Sequence, residues 1–500
     1  MKGGINQLMN LWHGGVMKKI KNILLIALMF LMASPVLCFA KMGTGKVRAA
    51  SKDVDIQIFG SLKTYPMYSK NVDFNDKNTK YDETLDENGF MGDDDIGVRS
   101  EFRLGFKGGG ENWGFLAILE SDLTYDKGNT DRGERSNGES ANGMSGNSFG
   151  VEKLEFTYDF SSYGVPTTLE TGWQSKALDI KTGGVLYGDD HPYIGLRGKI
   201  HGVSYEILDL FVYDDIGKVG VTDGDALDWN VYTLKLTVPV MGLNFSPFYA
   251  YSDNDARNAT VNYFGAEIYG KIGIIVPRAE FVYAVGNKER LTLNGRSEKD
   301  LDISAYAAFA SVEFDISDAI QPYIGGYYMS GDDDANDDDI NAYNPITNVS
   351  RYASTFGMEN AFIYKYIPIL GSHLYSNDFA MLGKKETGYG GISNSGSAYN
   401  PGMYSLGVGC KGVIEKFFYK TQFQYFWFAE TGALEDIYGK DIDDAVGWEY
   451  DLELTYYFNK HFSLGNVFSY FDPDDAVEDL YGDDYDDGAI MDTVEMIWKF

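Results

Sequence analysis

Two stretches near the end of the chain decide the fold: GWEYDLELTYYFNKHFSLGNVFSYFDPDD at 447–475 and DTVEMIWKF at 492–500. In the first stretch, an apolar or aromatic side chain stands at every second position from Trp448 to Phe458, with acidic or polar side chains between. Successive side chains of a β-strand point to opposite faces, so this alternation predicts a strand with one apolar face and one charged face. The second stretch follows the same pattern and ends on Phe500.

The same alternation recurs along the chain, and its connections are short and long in turn. Eighteen strands are predicted near 53–69, 95–107, 112–125, 149–160, 166–176, 191–200, 203–214, 227–238, 241–253, 259–270, 272–286, 300–315, 319–331, 401–413, 416–430, 444–458, 461–473 and 489–500. Tight connections are predicted at 108–111, 161–165, 201–202, 239–240, 271, 316–318, 414–415 and 459–460, whereas 71–94, 126–148, 331–400 and 473–487 are long.

This rhythm is typical of a transmembrane antiparallel up-and-down β-barrel, which has short periplasmic turns and long extracellular loops. The fold class is therefore all-β. An even number of strands leaves both ends of the barrel sequence on the periplasmic side, and sixteen strands is the main alternative count. The segments 203–214 and 272–286 are apolar on both faces and depart most from the alternating pattern.

Residues 1–40 have the features of a secretory signal peptide. Lys18, Lys19 and Lys21 precede an apolar run at 23–33, and the small residue Ala40 follows. A basic start, an apolar middle and a small residue at the cleavage site define such signals. We predict a signal peptide at 1–40, with Met17 as a possible start, and one barrel domain at 41–500. An N-terminal membrane anchor is the alternative interpretation.

The composition agrees with a barrel. Glycine is abundant (58) and proline scarce (12), and proline is excluded from paired central strands. Aromatic residues make up 15% of the chain, as expected for aromatic girdles at two membrane interfaces. After removal of a signal peptide, Cys410 is the remaining cysteine, so no disulfide is predicted.

The charged faces of the predicted strands identify candidate pore-lining residues of both signs. A ring of charged side chains in a narrow lumen selects which ions pass. The candidate cations are Arg99, Arg103, Lys153, Lys176, Lys235, Arg278, Lys420 and Lys499, and the candidate acids are Glu101, Glu155, Glu170, Glu280, Glu449, Asp451, Glu453 and Glu495. Because both signs are present, the sequence predicts no ion selectivity.

The segment 331–400 is too long for a plain loop in a compact domain and contains an apolar piece at 361–370. We expect it to fold over or into the barrel mouth; a disordered external loop is the alternative. The net charge of −32 is concentrated in acidic runs in or beside the long loops, for example at 332–334, 337–339 and 483–487. Solvated surface explains such runs, and bridging calcium at a lipopolysaccharide surface is a second interpretation. No other cofactor is predicted.

The sequence motifs of enzymes are present only out of context. Gly146-Asn147-Ser148-Phe149-Gly150 matches a nucleophile-elbow pattern but lies in a loop before a strand, where that motif requires a following helix. The five histidines show no metal-ligand spacing, and the acidic net charge disfavours nucleic acid. No catalytic residue is predicted.

The closing stretch 447–500 resembles the last strands of Gram-negative outer-membrane barrels. Val494, Met496, Trp498 and Phe500 resemble the C-terminal signal read by the barrel-assembly machinery. Within that class, YYMSGDDDANDDDINAYNP at 327–345 and FSYFDPDD at 468–475 resemble the alginate-export group. That resemblance implies an eighteen-stranded monomeric channel for an acidic polysaccharide with a strongly basic lumen. The mixed charges of this chain depart from such a lumen.

The first functional hypothesis is an outer-membrane channel that passes small hydrophilic solutes and ions passively. The alternatives are a specific exporter of an acidic polysaccharide, a structural or adhesive barrel with a plugged lumen, and a surface lipase. Expected partners are outer-membrane lipid, lipopolysaccharide and the barrel-assembly machinery, and the oligomer is either a monomer or a trimer.

Overall fold

The computed structural model describes residues 55–72, 74–77, 95–124, 150–213, 228–255, 259–290, 299–334, 337–347, 349–365 and 401–500. The predicted signal peptide at 1–40 lies outside these residues, as does the part of the apolar piece from 366 to 370.

Within the residues that the structure describes, nineteen strands form one sheet, and eighteen long antiparallel strands of it make the wall of a barrel. They are β1 (Asp55–Lys70), β2 (Asp95–Gly109), β3 (Trp113–Thr124), β4 (Gly150–Asp159), β5 (Thr167–Ala177), β6 (Gly188–Ile200), β7 (Val203–Tyr213), β8 (Trp229–Val240), β9 (Leu243–Asn254), β10 (Ala259–Gly270), β11 (Ile275–Arg290), β12 (Lys299–Phe314), β13 (Gln321–Met329), β15 (Met403–Ile414), β16 (Phe417–Trp427), β17 (Ala445–Asn459), β18 (Phe462–Pro473) and β19 (Ala489–Lys499). The two-residue strand β14 (Asp339–Ile340) pairs parallel with β12 and is not part of the wall.

The barrel is closed by its first and last strands. β1 pairs antiparallel with β19, from Ser61 opposite Lys499 to Lys70 opposite Ile490. The terminal residue extends this ladder, because Gly60 and Phe500 exchange backbone hydrogen bonds of 3.1 and 3.0 Å. Closure leaves the wall without an unpaired edge, which is the condition for a sheet to cross a lipid bilayer.

All eighteen predicted strands are present, including 203–214 and 272–286, so the count of eighteen is confirmed. The predicted turn at 271 extends to 274, because β11 begins at Ile275, and the predicted turn at 239–240 was misplaced. Residues 239–240 belong to β8, and the turn is Met241-Gly242, with φ values of 50° and 87°. Two successive residues with positive φ make the mirror-image turn that fits the twist of a β-hairpin, and glycine adopts this conformation without strain.

Large apolar side chains cover the outward face of the wall. Examples are Ile58 on β1, Phe156 on β4 and Leu406 on β15, which are 63%, 51% and 56% exposed. Aromatic rings also stack between neighbouring strands. The ring centres of Tyr404 and Trp427 lie 5.0 Å apart, and the angle between the ring planes is 9°. Soluble proteins rarely expose continuous apolar surface on this scale, whereas a lipid-facing barrel requires it.

Short helices occur in the loops at the end opposite the tight turns. They are α1 (Phe362–Lys365), α2 (Gly432–Tyr438) and α3 (Asp475–Tyr481). Among the described residues, no helix has the length and apolar character needed to span a membrane.

Candidate functional site

Two loops fold back into the lumen and bind each other. The first inner loop is 178–187, between β5 and β6, and the second inner loop is 330–365, between β13 and β15. Ile346 N and Thr347 N donate to Leu186 O at 3.1 and 3.2 Å, and Val349 N donates to Gly184 O at 2.9 Å. These backbone bonds join the two loops into one layer inside the barrel.

Apolar side chains of both inner loops belong to one large buried cluster. It includes Leu178, Val185 and Leu186 of the first inner loop, Phe356, Phe362 and Ile363 of the second, and the inward-facing wall residues Leu208, Leu210, Val282, Phe426 and Phe471. The inward faces of β7 and β11 are apolar where they join this cluster, at Leu208, Leu210 and Val282, whereas Glu206 and Glu280 on the same faces are charged. The expectation that 331–400 folds into the barrel mouth holds for the described part of that segment.

Charged side chains of the wall anchor the first inner loop. Glu280 on β11 accepts a hydrogen bond from Gly183 N at 2.9 Å, and its Oε2 lies 2.7 Å from the hydroxyl of Thr182. Glu267 on β10 lies 2.9 Å from the same hydroxyl and forms an ion pair with Lys235 on β8. Lys235 also donates to the carbonyl of Leu178.

The second inner loop is anchored to one wall strand after another. Wall side chains bind its backbone or side chains from β12 around to β19. The contacts join Ser311 to Thr355 (2.8 Å), Lys411 to Ser354 O (3.4 Å), Lys420 to Gly357 O (2.6 Å), Gln422 to Phe356 O (3.0 Å), Ser469 to Phe362 N (3.2 Å) and Glu495 to Asn360. Most of these anchors lie on strands between β8 and β19, but the inner loops also contact β6: Gly188 N donates to Thr347 O at 2.9 Å, and the Tyr187 hydroxyl lies 3.1 Å from His191 Nδ1.

The remaining sector of the wall, from β1 to β7, carries two ionic networks. In the first, the guanidinium of Arg103 on β2 pairs with Glu101 (2.8 Å), with Glu152 on β4 (2.9 Å) and with Glu120 on β3. Lys63 on β1 pairs with the same Glu101 at 2.9 Å. Three carboxylates against two cations leave this network with a formal charge of −1.

The second network surrounds Lys176 on β5. Its ammonium lies 3.0 Å from Glu170 and 3.3 Å from Glu155, and 4.3 Å from the centre of the Tyr193 ring. Arg197 on β6 pairs with the second oxygen of Glu170 at 3.1 Å. Two cations and two carboxylates make this network neutral. Fixed charges of both signs therefore lie on the wall strands from β1 to β6.

A cavity of about 590 Å³ opens toward the tight-turn end of the barrel. Its lining comes from the first inner loop and from β4, β5, β6, β7, β8 and β10. It contains the cations Lys181, Arg197, Lys199 and Lys235 and the acids Asp159 and Glu206. The cavity lies next to the second network, because Arg197 belongs to both.

The other predicted pore-lining residues lie in several environments. Arg278 pairs with Glu313 at 3.2 Å. Asp451 is buried and accepts hydrogen bonds from Ser469 and Gln422 at 2.6 and 2.9 Å. The remaining placements are as follows: Glu449 is buried, Glu453 stands opposite Lys420 in the sheet, Lys153 contacts Ser175 and Asp190, and Arg99 and Lys499 are exposed. Their role in lining a pore stays a prediction.

Several charged residues of these networks were missed by the sequence reasoning. They are Lys63, Glu120, Glu152, Arg197, Glu206, Glu267, Glu313 and Lys411. All but Glu152 lie on strands for which no pore-lining residue was predicted, so only a count of the charged positions on every strand could have found them. Their partners come from neighbouring strands and follow only from the register.

The proposed assembly signal lies where β19 closes the barrel. Val494, Met496 and Trp498 alternate with lumen-side residues, and the ring of Trp498 stacks on Phe462 of β18 at 5.0 Å. Phe500 is 61% exposed at the tight-turn end. Recognition by the assembly machinery stays a prediction.

One acidic run is not simply solvated surface. Asp332 is only 1% exposed, and its carboxylate accepts hydrogen bonds from Asn341 N (3.0 Å) and Asp334 N (3.3 Å) where the second inner loop begins. Burial raises the pKa of Asp332 to about 6, although both backbone bonds act to lower it. Among the described residues, no three His, Cys, Asp or Glu side chains are grouped so that they could bind a metal ion, so the calcium hypothesis has no site there.

No family model and no characterised protein sequence matches the chain. The chain is, however, similar in structure to several proteins of known structure. OccK9 (OpdG) of Pseudomonas aeruginosa has a TM-score of 0.52 at 12% identity, with 89% of this chain and 98% of that chain covered. OpdL and OccK2 (OpdF) of the same organism have TM-scores of 0.50 at 12% and 10% identity, with the same shares covered. At these identities the similarity establishes the fold: a closed, eighteen-stranded antiparallel barrel of the outer-membrane type.

Proposed function

We propose that this chain is a porin-like channel of the bacterial outer membrane through which small hydrophilic solutes and ions diffuse passively. The observation that carries the proposal is a closed barrel with an apolar outer face, whose lumen retains charged networks in the sector from β1 to β7. Fixed charges of both signs along such a path replace part of the hydration shell of a polar solute. An apolar solute cannot solvate these charges in turn, so its passage is disfavoured.

The two inner loops favour small solutes over polymers. They are joined to each other and anchored to many strands of the wall, so they occupy part of the lumen and narrow it. A polysaccharide chain would need a wide and continuous path along the axis. Export of an acidic polymer, which the resemblance to the alginate-export group implies, is therefore the less supported alternative.

No chemical step is part of this proposal. The buried charged side chains of the lumen bind each other or the inner loops, as Lys420 binds Gly357 O. A surface lipase would need a serine, a histidine and a polar orienting group together near the lipid-facing girdle. No such set is found among the described residues.

The test is electrical. Folded protein is inserted into planar lipid bilayers in 1 M KCl, and stepwise current increases are expected. Reversal potential across a salt gradient then reports the sign preference, which the mixed charges predict to be weak. Liposome swelling in small sugars separates a channel from a plugged structural barrel. Absence of both current and swelling, from protein that migrates as a folded barrel, would refute the channel.

A further inference from the structure

The cavity at the tight-turn end differs in charge from the chain as a whole. The protein carries 74 acidic and 42 basic residues, yet this cavity is lined by four cations and two acids. Its volume of about 590 Å³ lies within the range of sites for small molecules, about 300–1,000 Å³.

Two of the four cations form ion pairs with wall carboxylates and are termed engaged. The other two form none within the described part of the chain and are termed unengaged. Arg197 and Lys235 pair with the wall carboxylates Glu170 and Glu267. Lys181 and Lys199 are exposed, and no ion pair or hydrogen bond of their side chains is found among the described residues. Two ammonium groups in this cavity are therefore available to a ligand.

Neither of the two acids forms an ion pair with Lys181 or Lys199 within the residues that the structure describes. Glu206 on β7 stands opposite Arg197 on β6 and opposite Lys235 on β8, so its carboxylate lies between the two engaged cations. Asp159, at the end of β4, accepts a hydrogen bond from Ser161 N at 2.8 Å.

The rest of the lining supplies hydrogen-bond donors. Hydroxyl groups come from Ser161, Thr167, Thr168, Ser204, Tyr205, Thr237 and Tyr269. Hydroxyls can donate to carboxylate or phosphate oxygens, and such bonds to an anion are stronger than neutral ones. A ligand in the cavity would also contact Lys181, which belongs to the first inner loop.

We propose that this cavity is a binding site for small solutes with at least two negative charges, such as dicarboxylates or phosphate esters. The number of charges follows from the two unengaged lysines. One exposed ion pair changes a binding constant by at most about fivefold, so selective binding requires both lysines to act together. The inference deepens the proposed channel function and rests on it, because the cavity would be one solute-binding site along the diffusion path.

The experiment measures equilibrium binding of succinate, with acetate as the singly charged comparison, to the detergent-solubilised full chain by titration calorimetry at low salt. The variant K181Q/K199Q removes both unengaged charges. The control K460Q removes an exposed lysine from the tight turn between β17 and β18, which is at the same end of the barrel and outside the cavity. Single variants K181Q and K199Q serve if the double variant does not fold.

Succinate is expected to bind more tightly than acetate, and K181Q/K199Q to weaken succinate binding about tenfold while K460Q leaves it unchanged. Binding should also weaken as salt is added, because the charges are exposed. No heat with succinate, or equal weakening in K460Q, overturns the inference. Ionic current without succinate binding refutes this site and leaves the channel, whereas binding without current refutes the channel and leaves the site.

Discussion

The substitution Phe362→Ala is expected to release the second inner loop from the lumen and raise the ionic current. Phe362 is fully buried, and its ring centre lies 6.0 Å from that of Phe74 and 5.5 Å from that of Phe471. Removal of a packed Phe side chain costs about 3–5 kcal/mol. When the loop is undocked, position 362 faces water in both proteins, so the whole cost falls on the docked state.

A free-energy change of that size shifts the equilibrium between the docked and undocked loop roughly 10²- to 10³-fold, since each 1.4 kcal/mol is tenfold. Single-channel recordings at one voltage should therefore show a larger share of time at high conductance for Phe362→Ala. Protease cleavage within 349–365 should also become faster in folded protein.

The matched control is Phe281→Ala. Phe281 on β11 is 51% exposed on the outward face, so the same atoms are removed where they contact lipid and not the inner loops. Its current trace should match that of the unaltered protein. If Phe362→Ala leaves both conductance and protease resistance unchanged, the docked loop does not control the pore and the reasoning fails.

Three further outcomes are expected. Because the native pKa of Asp332 is raised to about 6 from an ordinary 3.8, its contribution to stability is lost as pH rises from about 4 through 6. Thermal unfolding should therefore occur at a higher temperature at pH 5 than at pH 7, and Asp332→Asn should reduce this difference. Lys235→Met should lower the free energy of unfolding by about 3–5 kcal/mol in urea titrations, because Glu267 is left charged and buried without its partner. Gly60→Val should reduce the fraction that migrates as a folded barrel on unheated gels, since an added Cβ would lie 2.6 Å from Arg103 O on the neighbouring strand.

The wall of this barrel could be predicted from the sequence because its signal is local. Side chains of a strand alternate with a period of two, so Trp448 to Phe458 identify a strand without knowledge of any partner. The same rule located all eighteen strands, and the alternation of short and long connections indicated the end at which each turn lies.

The contents of the lumen could be predicted only in part. The apolar positions on the inward faces of β7 and β11 were visible as departures from alternation, and the structure explains them by Leu208, Leu210 and Val282 in the buried cluster with the inner loops. The destination of the first inner loop, however, depends on Glu267 and Glu280 meeting Thr182, residues that are more than eighty positions apart.

The sequence by itself determined the strands, their number, their lipid-facing side and the candidate charges, because each is a property of neighbouring residues and the period of the strand. Only the tertiary structure decided which charges pair, which carboxylates are buried and which two lysines of the cavity stay unpaired. Those outcomes depend on the register between strands and on two loops that fold inward, and both are set by contacts between residues far apart in the chain.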